Sequence, residues 1–249
     1  MTKLLQGKVV VVTGAAGGIG SVISRRLAQA GAHIVLTDIA DKSKTQAVAD
    51  TLDGDNHLVF QGAVDNSESQ SKLAEAIMDK YGTVDILVNN AGITRPVPHD
   101  DLDALDDDLI DMIFRVNWRG SFASIRALKN LLMKDEGGLI INISSIAGRT
   151  GVGSNVAYCA SKAAIDSMTR SLARSLAPKI RVMSIAPGWV EGEYAKKMPP
   201  EVIQEQRDLT PLKRLAQQED VAEAVYAIAA HLTFSTGDII PVDGGRPLL

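Results

Sequence analysis

A tyrosine and a lysine stand four residues apart in AYCASKAAI, residues 157–165. A helical turn would put both on one face. A free phenol ionises near pH ~10 and is no base at neutral pH. A neighbouring ammonium favours the phenolate and lowers that pKa. Tyr158 and Lys162 are therefore a candidate tuned acid/base, although an isolated Y-x-x-x-K is more often an ordinary surface pair. A second constellation lies upstream, in TGAAGGIG (13–20). Gly14, Gly18 and Gly20 let a backbone turn tightly and approach a ligand, and the helix start behind them offers free N–H groups and positive dipole to a pyrophosphate. Asp38 follows 18 residues after Gly20, where a carboxylate would accept from adenosine ribose hydroxyls. A 2′-phosphate would meet like charge there and no arginine, since Gly17 and Ile39 flank the spot. NAD is thus expected over NADP.

Those residues need elements to position them. KVVVVTG, HIVLTD, HLVFQGAV, VDILVNNAG, GLIINISS, IRVMSIAPG and GDIIPVDGG are short, β-branched runs that end in turn signals. Between them lie helical patterns, among them IGSVISRRLAQAG, ESQSKLAEAIMDKYG, LIDMIFRVNWRGSFASIRALKNLLMK (109–134) as one long helix, AYCASKAAIDSMTRSLARSLA (157–177) and QEDVAEAVYAIAA. Alternating strands and helices predict an α/β, Rossmann-type doubly wound parallel sheet of about seven strands with helices on both faces. With no repeat, linker or composition break, residues 1–249 are expected to form one domain. The polar stretch 191–214, with its Pro pair, is expected to belong to a substrate lid around 189–214 over the strand ends.

Composition excludes other classes. Net charge is −4 and pI about 5.6, which argues against nucleic acid or an anionic membrane as partner. One cysteine, Cys159, rules out an internal disulfide framework or a Cys-based zinc site, and the four histidines lack metal spacing. No metal is expected. Seven Asp fall in 99–111, but Gly and Glu are missing where a calcium loop requires them, so the stretch is expected to be the solvated start of a helix. No apolar run nears the ~20 residues of a membrane span and no signal-peptide layout opens the chain. A cytoplasmic protein is the expectation. No G-x-S-x-G elbow exists for a serine hydrolase.

Taken in order, TGAAGGIG, NNAG (89–92), Asn117 in RVNWRG, Ser145 in NISSIAG, Tyr158 and Lys162 in YCASK, APG (186–188) and GDIIPVDGG resemble the classical short-chain dehydrogenase/reductase family over nearly the whole chain. Ser145 stands 13 residues before Tyr158, as the family pattern requires. The resemblance implies a catalytic set of Asn117, Ser145, Tyr158 and Lys162. Tyr158 would exchange the hydroxyl proton, Lys162 would lower its pKa and hold the nicotinamide ribose, Ser145 would bind the substrate oxygen, and Asn117 would orient a relay water. Cofactor contacts would come from Gly14, Gly17, Gly18, Ile19, Gly20, Asp38, Ile39, Ala63, Val64, Asn90, Ala91, Gly92, Pro187, Gly188 and Val190. Arg95, His99, Ile146, Arg149, Asn155, Trp189 and Tyr194 are candidate pocket residues by position.

Three departures stand out. Ala63 replaces an adenine-contacting Asp. Gly192 replaces a Thr that bonds the nicotinamide amide, with Glu193 as a possible substitute. The loop in LAPKIRV is short. The implied function is an NAD-dependent alcohol dehydrogenase or ketone reductase on a small secondary alcohol or ketone. A 3-oxoacyl-(acyl-carrier-protein) reductase is the alternative, although such relatives usually use NADP, which Asp38 opposes. A silent dinucleotide-binding regulator is a remote third. A homotetramer is implied, assembled through helices 103–134 and 157–177, with Ala157, Ala160, Ala164 and Met168 at the contact.

Overall fold

The computed structural model describes residues 3–192, 195 and 198–248; Glu193 and Tyr194 lie outside the described residues. The strands are β1 (Val9–Thr13), β2 (His33–Asp38), β3 (Leu58–Gln61), β4 (Ile86–Asn89), β5 (Gly138–Ile143), β6 (Ile180–Pro187) and β7 (Ile239–Val242). They form one parallel sheet in the order β3-β2-β1-β4-β5-β6-β7. The order reverses between β1 and β4, so the loops after these two strands diverge and leave a crevice at their carboxyl ends.

Period-two alternation divides the core. Val10, Val12, Ile34, Leu36, Val88 and Ile141 face one way, onto Ile23 and Leu27 of α1 (Gly18–Gln29) and Val221, Val225 and Ile228 of α9 (Gln218–Ala230). Val9, Val11, Val35, Leu87, Ile140 and Val182 face the other way. They meet Leu73 and Ile77 of α3 (Ser67–Tyr81), Leu128 of α5 (Ser121–Leu132) and Met168 of α7 (Val156–Leu176). Each such side chain contributes ~1.5–3 kcal/mol when fully buried. The helix α2 (Lys42–Ala49) begins at Asp41, whose carboxylate accepts from Ser43 N.

Three expectations change, while the acidic stretch does form the solvated start of a helix from Asp106 on. The long helix over 109–134 is three pieces: α4 (Asp107–Phe114), a π-helical segment Arg115–Gly120, and α5. In the acidic stretch, Asp106 caps α4 and Asp107 and Asp108 fill its first turn, while residues before it are irregular. Two short helices were not evident in the sequence: α6 (Ala147–Thr150), and α8 (Pro200–Asp208) within the lid segment. Ala157 and Met168 are not free for a subunit contact, because both are buried in the chain's own core. The α7 face left exposed carries Val156, Ala160, Ala163 and Ser167. Among the described residues no helix is long and apolar enough to cross a membrane.

Candidate active site

The crevice is bounded on one side by the start of α7. Asn155 caps that helix, its Oδ1 accepting from Tyr158 N at 2.7 Å. Its Nδ2 donates to Arg95 O at 2.8 Å and Thr94 Oγ1 at 3.3 Å. The cap fixes the first turn and hence Tyr158, which is half-buried. One turn on, Lys162 is buried, donates from Nζ to Ile143 O at 2.8 Å, and lies 5.6 Å from the Tyr158 ring centroid. Burial lowers its pKa from 10.5 to about 8, with the Asp166 carboxylate acting the other way. Asp166, a further turn along, is itself buried. Its Oδ1 has no hydrogen-bond partner among the described residues, and burial raises its pKa.

Ser145 lies just past β5, half-buried, its Oγ accepting from Ala147 N at 3.2 Å. That bond leaves its hydroxyl hydrogen for another acceptor. Ser144 is turned away, with Oγ donating to Lys162 O at 3.2 Å. Asn117 sits in the π-helical segment, fully buried. Its Oδ1 accepts from Ile93 N at 2.8 Å, and its Nδ2 donates to Ile93 O and Ser161 Oγ, both at 3.1 Å. Both amide hydrogens are therefore taken by protein acceptors. The side chain ties the segment past β4 to α7, and only an oxygen lone pair is left to hold a water. Gly92 is packed against this pair: a Cβ there would stand 3.4 Å from Asn117 Oδ1 and 3.7 Å from Lys162 Nζ.

At the other side is the glycine turn. Gly14 has φ +66°, and a Cβ on Gly20 would stand 2.1 Å from Gly14 O, so both positions exclude a side chain. Gly17, with φ −179°, is merely extended. The first N–H groups of α1, from Gly18, Ile19 and Gly20, have no intrahelical acceptor, and no acidic residue stands in that turn. Asp38 closes the turn from β2: Oδ2 accepts from Ala16 N and Oδ1 from Ala40 N, each at 2.8 Å. Beside it Ile39 is 73% exposed. Asn90 Nδ2 donates to Thr13 O and Gly14 O at 3.0 and 3.1 Å. Ala91 N donates to Thr13 Oγ1 at 3.0 Å. Ala63 and Val64 follow β3. Pro187 ends β6, Ile146 N donates to its carbonyl at 3.0 Å, and Gly188 N donates to Val242 O at 3.0 Å. Val190 bridges to Ala216. A Gly-free-of-Cβ cradle, donors at a helix start, a carboxylate at the next strand end and an apolar surface beside it fit a nicotinamide dinucleotide.

The candidate pocket residues divide. Asn155 is a helix cap, fully buried, and does not line a pocket. Arg95 is exposed and pairs with Asp106 at 3.1 Å, and the His99 ring reaches Gly153 O at 3.1 Å. Arg149 is exposed and Ile146 half-buried. Trp189 is half-buried, with its carbonyl bonded by Ala216 N. Gly192 has a neighbour that sequence spacing did not suggest: Gln218 Nε2 lies 3.0 Å from where its Cβ would be. A cavity of about 580 Å³ opens there, lined by Gly192, Ile203, Arg207, Leu215 and Gln218 among others. The sequence also gave no notice of Thr13, or of Asn142, which joins Asn89 Nδ2 to Thr169 Oγ1 across the sheet and α7. Their only signal is a polar residue inside an apolar strand. Among the described residues, no group of three or more His, Cys, Asp or Glu could hold a metal ion.

Comparison with known proteins agrees with this geometry. A family model described as enoyl-(acyl carrier protein) reductase matches residues 14–246. The chain is 36% identical over 251 residues to the 3-oxoacyl-(acyl-carrier-protein) reductase FabG of Vibrio cholerae, covering 98% of this chain and 99% of that one. It is 34% identical over 245 residues to the protein of the same name from Thermotoga maritima, covering 97% and 98%. A crystal structure described as a short-chain dehydrogenase/reductase, glucose/ribitol dehydrogenase, from Brucella melitensis superposes with a TM-score of 0.89 at 30% identity, over 99% of each chain. The family model over residues 14–246 and these full-length matches make the chain a member of the classical short-chain dehydrogenase/reductase family, the nicotinamide-dinucleotide-dependent oxidoreductases.

Proposed function

We propose that the protein is an NAD(H)-dependent oxidoreductase that interconverts a small secondary alcohol and its ketone. The observation that carries this is the placement of Asp38, whose two oxygens are both held by backbone N–H groups of the glycine turn and β2 end. That carboxylate is fixed where the ribose hydroxyls would lie, and the remaining lone pairs can accept from them. A 2′-phosphate would face a charge that is unable to swing away.

The nicotinamide ring supplies or takes up the hydride when bound. The glycine turn and the start of α1 would hold the pyrophosphate, Asp38 the adenosine ribose, and the backbone at Asn90–Gly92 and Pro187–Val190 the remainder. In the oxidation direction the Tyr158 phenolate takes the proton from the substrate hydroxyl; in reduction the phenol returns it to the carbonyl oxygen. The Ser145 hydroxyl donates to that same oxygen and stabilises its developing charge. The Lys162 ammonium, with its carbonyl partner from Ile143, favours the phenolate electrostatically. Asn117 keeps the segment at Ile93 against α7, so the Tyr158–Lys162 pair faces a fixed wall. The segment 189–214 acts as the lid.

The test is a comparison of NADH and NADPH with a panel of ketones, 3-oxoacyl thioesters and 2-enoyl thioesters. We expect NADH to exceed NADPH at least tenfold in kcat/KM, a difference of only ~1.4 kcal/mol. Equal use of the two cofactors overturns the assignment. The names of the relatives favour a second reading, reduction of a 3-oxoacyl thioester. Preference for the thioester over simple ketones would select it without altering the roles of the four residues.

A further inference from the structure

The π-helical segment Arg115–Gly120 faces two places at once. On one side its Asn117 amide holds the Ile93 backbone near Lys162. On the other it grips Val64 and Asp65, in the turn after β3. Arg115 Nε lies 3.1 Å from Asp65 Oδ2, and Arg119 Nη2 donates to Asp65 O at 3.1 Å. Gly120 is so close to Val64 that a Cβ would stand 2.7 Å from its Cγ2. From the far flank Gln70 Nε2 donates to Ala63 O at 3.0 Å, while its Oε1 accepts from Ser124 Oγ of α5 at 2.9 Å. A turn outside the sheet ladder is thus fixed by side chains from α3, the π-helical segment and α5.

Topology indicates what such a turn is for. With a pyrophosphate at the glycine turn and an adenosine ribose at Asp38, the base would extend outward from the switch point, past β2 towards its sheet neighbour β3. There Ile39, exposed and apolar, and Val64 would receive it. We propose that Arg115 and Arg119, acting through Asp65, are positioning residues for the adenine-binding turn at 63–65. Gly120 belongs to the same device because only a residue without a Cβ leaves room for Val64. The ion pair is half-exposed on the arginine side, so it adds little to global stability. Its effect is local and falls on the adenosine end of the cofactor. The inference rests on the dinucleotide reading above.

The experiment measures binding of ADP-ribose and of nicotinamide mononucleotide to the full chain, and steady-state kinetics, for wild type and an Arg115→Met/Arg119→Met variant. An unchanged melting curve shows that the variant is folded. We expect ADP-ribose to bind roughly three- to tenfold more weakly, from the loss of one ion pair and one charged hydrogen bond. The KM for NAD should rise in parallel, while kcat and nicotinamide mononucleotide binding change less than about twofold. ADP-ribose bound equally by wild type and variant overturns this inference and leaves the dinucleotide reading intact. Equal weakening of both fragments overturns it too, since the damage would be general. Wild type that binds neither NAD nor ADP-ribose overturns the dinucleotide reading and the inference with it. A Gly120→Ala variant gives a second reading: folded and with unchanged ADP-ribose affinity, it also counts against the proposal.

Discussion

Lys162 carries its charge against a cost of burial. It is buried, its Nζ donates to a neutral carbonyl, and its pKa falls to about 8. The unfolded chain holds that proton up to 10.5, so between pH 8 and 10.5 the unfolded state binds more protons and stability rises with pH. The penalty is fully present below pH 8 and amounts to something on the order of 3 kcal/mol. Comparing urea midpoints of wild type and Lys162→Met across this window should show the wild-type slope and its absence in the variant. Parallel curves would mean that the ammonium is better solvated than its burial implies. At Tyr158 the test is catalytic. Tyr158→Phe removes only the hydroxyl and should cut kcat at least ~10²-fold with NAD affinity nearly unchanged; near-wild-type turnover would move the proton transfer elsewhere. Asp38 is less forgiving than its charge suggests. Asp38→Asn must set its NH2 against either Ala16 N or Ala40 N. It should therefore weaken NAD binding as well as narrow the preference over NADP.

At the scale of elements, α7 depends on its cap. Asn155 satisfies Tyr158 N and ties the helix start to the segment at Thr94 and Arg95. Asn155→Ala should cost ~1–2 kcal/mol in stability for the lost cap, with more from the buried groups it leaves unpaired. It should also lower kcat, because the first turn carries Tyr158. A loss of stability with kcat unchanged would confine Asn155 to folding. The proposed lid is fastened differently. Glu191 pairs with Arg207 at 2.8 Å, both about 42% exposed, and Arg246 Nη2 donates to Gln206 Oε1 at 2.6 Å. Such exposed contacts are individually weak, which suits the opening proposed for this segment. Arg207→Ala should shift KM for substrate more than it shifts the melting temperature.

At the scale of the molecule, we propose assembly through the exposed face of α7, where Val156, Ala160, Ala163 and Ser167 recur at helical spacing and allow close approach of a second helix. Met112 of α4 and Val156 are exposed apolar side chains of the same two packed helices. Light scattering at micromolar concentration should show an oligomer, and Ala163→Glu should reduce its size without abolishing the fold. A wild-type monomer contradicts the proposal.

Much of this protein was settled locally. Strand alternation, the turn-to-helix glycines and the i, i+4 relation of Tyr158 and Lys162 depend on neighbours within a few residues, so the sheet, its helices and the closeness of that pair were legible from residue order alone. What tertiary structure decided are the contacts between segments far apart in the chain. The helix over 109–134 breaks into a π-helical segment at Asn117 because its amide is bound by Ile93 and Ser161 and Gly120 must accommodate Val64, none of which periodicity encodes. Asn155 looked like a pocket residue and is a cap, since only the fold brings Arg95 O to its amide. Ala157 and Met168 looked available to a partner but are taken by the chain's own core, because a helical face has no fixed destination until the elements around it are packed.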